Sequence, residues 1–417
     1  MMVNKFSIEG YQKALELLHS CINNYGFLAS TNNVDNYHRI WARDGCIIGL
    51  AALMSGEKQL VKTCKNTLIT LAENQGPHGE IPSNVDVNSG RISYGGTAGR
   101  IDSSLWFIIT CSQYWKNTGD NKFIERMTDT IEKVQFILGA WEYNNRGFLY
   151  VPLTGDWADE YLHTGYVLYD ELLYLQTLRE LISVYKHIDD KKNQAFLEKA
   201  ERLQKLIRAN YWLTENEKMP EMVYHEILYK KGLKAKHRCA EKYWAPFFSP
   251  AGYGYRFDTL ANILVSLLHV ANKEQVEKVD KYIIDNLVSD TNKLLPAFHP
   301  VITPRDEDWE ELQLTFAYSF KNKPYEYHNG GLWPFVTGFY VADLAYRGKT
   351  EKARQHLDAI HRANKSSMQN KKWGFPEYLN GKTYEPEGTS RMGWSAAAAV
   401  IGEQAIMGKK IFLSDLD

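Results

Sequence analysis

Two short segments of the 417-residue chain carry acids in surroundings suited to proton transfer. Thr154-Gly-Asp-Trp-Ala-Asp-Glu160 gathers Asp156, Asp159 and Glu160 around Trp157. Gly374-Phe-Pro-Glu-Tyr-Leu-Asn-Gly381 holds Glu377 in a turn too short to be a helix face, with Trp373, Phe375, Tyr378 and Tyr384 nearby. Acids at a helix start also cap free N–H groups and offset the helix dipole. An aromatic ring against a carboxyl does something else: it strips water and raises the pKa towards general-acid work. Two acids among aromatics fit glycoside hydrolysis. One protonates the leaving oxygen, and the other activates a water or attacks the sugar carbon. Neither task calls for a metal or a cofactor, and none is expected.

Other loops supply groups that suit a sugar. Trp41-Ala-Arg-Asp44 sets an aromatic face, a fixed cation and an acid side by side, and Arg43 and Asp44 could each hold two vicinal hydroxyls. Asp102 precedes Trp106 by about one helical turn. Tyr327-His-Asn-Gly-Gly-Leu-Trp-Pro334 offers His328, Asn329 and Trp333 beside two glycines that permit a tight backbone. Taken singly, Asp102 reads as a helix cap and His328 as a core histidine. What distinguishes these groups, with Trp157, is their recurrence at the starts of apolar helices.

The elements that must position them are helices. Apolar periodicity predicts twelve, near 5–22, 44–55, 58–73, 101–117, 121–137, 163–185, 191–210, 257–270, 273–287, 330–347, 350–366 and 389–407. Apolar helices such as 163–185 alternate with charged ones such as 191–210. Short links (Ser55-Gly-Glu-Lys, Thr118-Gly-Asp-Asn, Asn272-Lys, Gly348-Lys-Thr) join them into antiparallel hairpins. Six hairpins with one inner and one outer helix each describe an all-α (α/α)6 barrel. The alternate links, 23–43, 74–100, 138–162, 211–256, 288–329 and 367–388, are long and hold most of the Gly, Pro and Trp. They are expected to gather at one end as a cleft. No linker or low-complexity stretch interrupts residues 1–417, which read as a single domain.

Composition narrows the partners. Lys plus Arg is 49 and Asp plus Glu is 50, so no global basic field attracts nucleic acid or an anionic membrane. No apolar run is long enough to span a bilayer. The N-terminus lacks a signal-like apolar stretch, and five scattered cysteines form no CxxC, which points to the cytoplasm. Aromatics reach 13%, with 11 Trp and 26 Tyr, as a wide helical core or a carbohydrate site would require. A carbohydrate substrate is the expected partner. The oligomeric state is left open.

With these residues in view, the chain resembles the (α/α)6 glycoside hydrolases. It is most similar to the alkaline/neutral invertases and to the amylo-α-1,6-glucosidase domain of glycogen-debranching enzymes, with processing glucosidase I and mannosylglycerate hydrolase further off. Gly99-Arg-Ile-Asp-Ser-Ser-Leu-Trp-Phe-Ile-Ile109 and Lys116-Asn-Thr-Gly-Asp120 resemble an invertase segment; Tyr327 to Pro334 resembles the invertase YHNGG.WP. Phe375-Pro-Glu-Tyr-Leu-Asn-Gly-Lys382 resembles PEYYDGK, and Gly393-Trp-Ser395 the motif that follows it. The segment Trp157-Ala-Asp-Glu160 lacks the paired arginines of the invertases and is closer to the WMDA of the debranching enzymes.

The resemblance implies Asp159 as general acid and Glu377 as general base of an inverting hydrolase. An α-linked glucosyl substrate is implied, with Trp41, Arg43, Asp44, Asp102, Trp106, Trp157, His328, Asn329 and Trp333 lining the cleft. The two carboxyls would then stand roughly 6.5–9.5 Å apart. Trp157 would let Asp159 keep its proton to a higher pH than Glu377. A sugar isomerase or epimerase on the same barrel, working through histidines, and a non-catalytic sugar-binding protein are the alternatives.

Overall fold

The computed structural model describes residues 5–215, 219–235, 239–316, 318–369 and 371–414. The predicted helices are all present among them: α1 (Lys5–Ser20), α2 (Ala42–Ser55), α3 (Lys58–Glu73), α4 (Asp102–Thr118), α5 (Asn121–Trp141), α6 (Leu168–Ile188), α7 (Asp190–Tyr211), α9 (Thr259–Leu267), α10 (Lys273–Asn286), α12 (Pro334–Tyr346), α13 (Thr350–Lys365) and α14 (Gly393–Ile406). Two short helices inside the long loops escaped the periodicity, α8 (Glu226–Lys234) and α11 (Trp309–Gln313).

Burial sorts the helices into two rings. In α2, residues Ala42–Met54 are buried without a break, as are Asp102–Tyr114 in α4, Pro334–Leu344 in α12 and Gly393–Ala405 in α14. A helix apolar on every side must be surrounded by other elements. The outer helices bury only a stripe; α10 covers just Val279, Asp280 and Ile283. The inner helices touch in the closed order α2, α4, α6, α9, α12, α14 and back to α2. Outside them, α3 packs on α2, α5 on α4, α7 on α6 and α13 on α12, while α1 packs on α14 and closes the sixth hairpin from the two ends of the chain. This is the (α/α)6 barrel.

The short links are sharp because their ends are capped. Gly119 takes the left-handed conformation (φ 68°) after α4, which glycine adopts at little cost, and the Asp120 side chain accepts from Phe123 N–H to start α5. Asn272 and Gln275 form a reciprocal capping box on α10. The long links all lead into the N-terminal ends of the inner helices, so they crowd one end of the barrel.

Several inner helices begin later than periodicity predicts. Tyr166–Val167 is extended and pairs with Phe247–Phe248 before α6 starts; Phe257–Asp258 pairs with Phe298–His299 before α9; and Leu332 bridges Leu379 just ahead of α12. Backbone pairing between neighbouring loops outcompetes the helix there, and it fixes the mouth of the cleft. All five cysteines are buried and unpaired.

Candidate active site

The cleft is built from loop residues that immediately precede the inner helices. Glu377 is held from two sides. Its Oε1 accepts the Tyr37 hydroxyl at 2.8 Å, and its Oε2 accepts the Thr389 backbone N–H at 3.0 Å. Both partners donate, so they favour the ionised carboxylate. Burial opposes them and prevails: with the side chain only 3% exposed, the Glu377 pKa is raised.

Asp159 is held differently. Arg100 Nη2 lies 2.8 Å from its Oδ1, and the Tyr327 hydroxyl reaches its Oδ2 at 3.4 Å. Burial would raise the Asp159 pKa, but Arg100 first and then Arg43 outweigh it and hold the carboxyl below its ordinary value. The expected order of the two acids is therefore reversed in the free cleft. Trp157 does not set the pKa of Asp159. Its ring turns inwards, stacked at 5.7 Å on Phe298 and edge-on to His328 at 4.9 Å, Phe335 and Trp333.

A third carboxyl completes the group. Asp44 is buried near Arg43, Glu377 and Asp159, and burial pushes its pKa up to about 7. His328 stacks on Trp333 at 5.0 Å and meets the edge of Tyr327 at 4.2 Å. Burial pushes its pKa down to about 3, so it is neutral, and among the described residues neither ring nitrogen has a hydrogen-bond partner. A neutral imidazole with both nitrogens open can donate to one hydroxyl and accept from another. Trp41 is partly open and anchored by its indole N–H on the Asn36 carbonyl at 2.9 Å.

Other residues expected at the sugar also brace the loops. Arg43 and Asp102 hold each other, Nε to Oδ2 at 2.6 Å and Nη2 to Oδ1 at 3.3 Å, with Arg43 also reaching the Asp156 carbonyl. Arg43 Nε and Nη2 are committed to these partners. The pair fixes the acid loop against α2 and α4, and Tyr169 donates to Asp102 at 3.2 Å. Trp106 is fully buried and donates to Tyr169, which places it inside the barrel. Asn329 pins the loop before α12, accepting from Ile302 N–H at 2.7 Å and donating to the Ile302 and Asn322 carbonyls. Trp333 is fully buried and donates to the Tyr327 carbonyl. Trp106, Asn329 and Trp333 spend their polar atoms within the protein and shape the wall.

Tyr37 and Arg100 were missed as site residues. Tyr37 lies in a loop 340 positions from Glu377 and belongs to no motif. Arg100 stands in the motif that precedes α4, and its position two residues before Asp102 was the available signal.

With this geometry established, similarity to known proteins defines the lineage. Residues 15–406 match the family described as alkaline and neutral invertase. The chain is 26% identical over 409 residues to the probable alkaline/neutral invertase D of Arabidopsis thaliana, covering 85% of this chain and 72% of that one. It is 26% identical over 405 residues to cytosolic invertase 1 of Oryza sativa subsp. japonica, covering 85% and 68%. Among solved structures, a bacterial glucoamylase complexed with acarbose superposes with a TM-score of 0.69 at 17% identity, over 99% of this chain and 58% of the other. Mannosylglycerate hydrolase from Thermus thermophilus superposes with a TM-score of 0.64 at 13% identity, over 94% and 99%. These two share the barrel. The match over nearly the whole chain favours a hydrolase over an isomerase, and the chain belongs to the alkaline and neutral invertase family of glycoside hydrolases.

Proposed function

We propose that this glycoside hydrolase cleaves an α-glucosidic bond in a small neutral sugar with inversion, Asp159 acting as general acid and Glu377 as general base. The observation that carries the reading is the pairing of two differently held carboxyls in one cleft: Glu377 on two hydrogen-bond donors, Asp159 on a guanidinium. The relatives are named invertases, so sucrose is the first substrate to try. The sequence-based assignment to the cytoplasm is kept as part of the proposal.

The chemistry follows from the electrostatics. Glu377 in its ionised form takes a proton from a water, and burial makes it a stronger base than a solvated glutamate. Asp159 gives its proton to the departing oxygen. Arg100 then stabilises the carboxylate that is left. A turnover ends with the proton on Glu377 and the charge on Asp159, the arrangement that the free cleft favours. The reactive form is the minor one, with the proton on Asp159 and none on Glu377. Its share falls by about tenfold for each unit by which the Glu377 pKa exceeds that of Asp159.

The test is a hydrolysis screen of the purified chain on sucrose, isomaltose, panose, trehalose and glucosylglycerate. Release of glucose from at least one, abolished by Asp159→Asn, is expected. No release from any α-glucoside, with release from a β-glucoside, would overturn the linkage.

A further inference from the structure

A second cavity of about 530 Å³ opens on the other side of the loop that carries Asp159. The segment 156–163 divides the two spaces. Asp159 faces the cleft, whereas Tyr161, Leu162 and His163 line the cavity. The wall between them is tied down at the Glu160 carbonyl, which accepts from Thr315 at 2.5 Å and from Asn322 at 2.6 Å. None of Tyr37, Arg100, Asp159 or Glu377 lines this cavity.

Its chemistry is that of a sugar site. Phe247, Tyr253 and Tyr255 give it aromatic faces, and the Arg256 guanidinium lies 4.7 Å from the centre of the Tyr255 ring. Arg256 is 7% exposed and Tyr161 1%. Arg256 uses Nη1 on Asp308, but among the described residues its Nε and Nη2 have no hydrogen-bond partner, and neither has the Tyr161 hydroxyl. The charges of Arg256 and Asp308 act directly on that hydroxyl. Buried donors without partners cost stability unless something else satisfies them. The volume falls within the range of small-molecule sites.

Charge selects among ligands. Among the described residues the lining holds one guanidinium, Arg256, and the imidazole of His163, which is paired with the buried Asp156, against two acids, Asp308 and Glu311. Arg256 is already neutralised by Asp308, so a phosphate or carboxylate would meet a net negative lining. A neutral, hydroxyl-rich ligand would not. Its hydroxyls can accept from Arg256 and Tyr161 and donate to Asp308, while its C–H faces pack on the tyrosines.

We infer that this cavity is a second carbohydrate-binding site, distinct from the catalytic cleft, which takes a neutral glucosyl unit. The choice of sugar class rests on the hydrolase reading, but the site does not depend on turnover.

The test uses the full chain with Asp159→Asn and Glu377→Gln together, so that no probe is consumed. Methyl NMR follows Leu153, Leu162, Ile302 and Leu314 while glucose, sucrose, maltose or inorganic phosphate is added. Maltose or sucrose should shift these methyls, and phosphate should not. Tyr253→Ala should weaken the shift by about tenfold, the factor set by about 1.4 kcal/mol of lost contact. Ala251→Trp, at the exposed mouth, should block it in a protein that keeps the parent's thermal unfolding. In the active background neither change should alter hydrolysis of a small substrate. Shifts confined to methyls next in sequence to cleft residues, such as Ile40 beside Trp41 and Ile101 beside Arg100, or shifts produced by phosphate alone, would overturn the inference. Sugar-dependent cavity shifts in the double variant, with an unsubstituted parent that hydrolyses no glycoside tried, would sustain it and remove the hydrolase reading instead.

Discussion

Arg100 Nη2 stands 2.8 Å from Asp159 Oδ1, and this ion pair decides which acid of the cleft gives up its proton first. The guanidinium cannot lose its own charge in any working pH range. It therefore acts as a fixed bias on Asp159, while Glu377, buried and held only by neutral donors, is biased the other way. In the free enzyme Asp159 ionises at the lower pH and Glu377 at the higher. The acid limb of kcat/KM then follows Asp159 and the alkaline limb Glu377.

Removing the cation tests this order. A carboxyl that loses a neighbouring positive charge holds its proton more tightly, so Arg100→Gln should move the acid limb to higher pH and narrow the profile. Arg100→Lys keeps the charge and should leave that limb near its place. A pH series of kcat/KM on the best substrate measures both. An acid limb unmoved by Arg100→Gln would mean that Asp159 does not set it.

Tyr37 works on the other carboxyl. Its hydroxyl donates to Glu377 and lowers a pKa that burial raises. Tyr37→Phe deletes one oxygen and should move the alkaline limb to higher pH. The loss of positioning should also lower kcat by about tenfold, the scale of one neutral hydrogen bond. A change in KM alone, with both limbs fixed, would assign Tyr37 to binding.

The barrel was legible in the sequence because its information is local. Apolar helices such as Pro334–Leu344 and Gly393–Ala405 show their burial in their own residue types, and the short links show theirs in glycines and caps. The five-residue α11 is too short for periodicity to speak, and α8, no longer than α9, buries only Tyr229 and Gly232 and so shows little apolar pattern. The site was half legible. Asp159, Glu377, Asp44 and His328 stand in segments whose composition drew attention to them. Their partners come from elsewhere: Tyr37 is 340 positions from Glu377, and Arg100 meets Asp159 only when two loops converge. The pKa order was misjudged for the same reason. Trp157 adjoins Asp159 in sequence, but its ring packs on Phe298 and His328, whereas the group that acts on Asp159 is a cation from another loop.

Gly388 stands where backbone crowds Glu377. Its φ is 71°, and a Cβ there would meet Glu377 Oε2 at 2.4 Å and Glu377 Cβ at 2.8 Å. Gly388→Ala should displace the carboxylate as well as strain the turn. Positioning errors of this kind cost about a hundredfold in rate. We expect kcat to fall by that order while the global fold, followed by circular dichroism, persists. Full activity in Gly388→Ala would show that the carboxylate has room to move.

The Arg43–Asp102 pair is almost wholly enclosed, with side chains 7% and 0% exposed. Removing one partner leaves an unpaired buried charge, which costs about 3–5 kcal/mol, whereas an apolar replacement of both can be neutral. Arg43→Met should thus lower the denaturant midpoint markedly, and Arg43→Met with Asp102→Leu should recover much of it. Asp102 also accepts from Tyr169, so recovery will be incomplete. A double variant no more stable than Arg43→Met would show that the pair does not act as a unit.

The last prediction concerns stereochemistry. Asp159 and Glu377 arrive from loops ahead of α6 and α14, which are separated around the inner ring by α9 and α12 on one side and by α2 and α4 on the other. Acids reaching the cleft from opposite sides of a ring suit attack on one face of the sugar and departure from the other. Glu377, a base between two fixed donors, would then act through a water. Inversion of an α-glucoside gives β-glucose first, before mutarotation mixes the anomers. Proton NMR of the earliest product distinguishes the outcomes. Asp159→Asn and Glu377→Gln should each lower the rate by about 10²–10⁴ with the fold unchanged. The two variants differ in rescue: azide can replace the water that Glu377 would activate and yield a β-glucosyl azide in Glu377→Gln, but it offers no proton to the leaving oxygen in Asp159→Asn. Early appearance of α-glucose would instead require Glu377 to bond to the sugar, and the assignment of a base acting through water would be withdrawn.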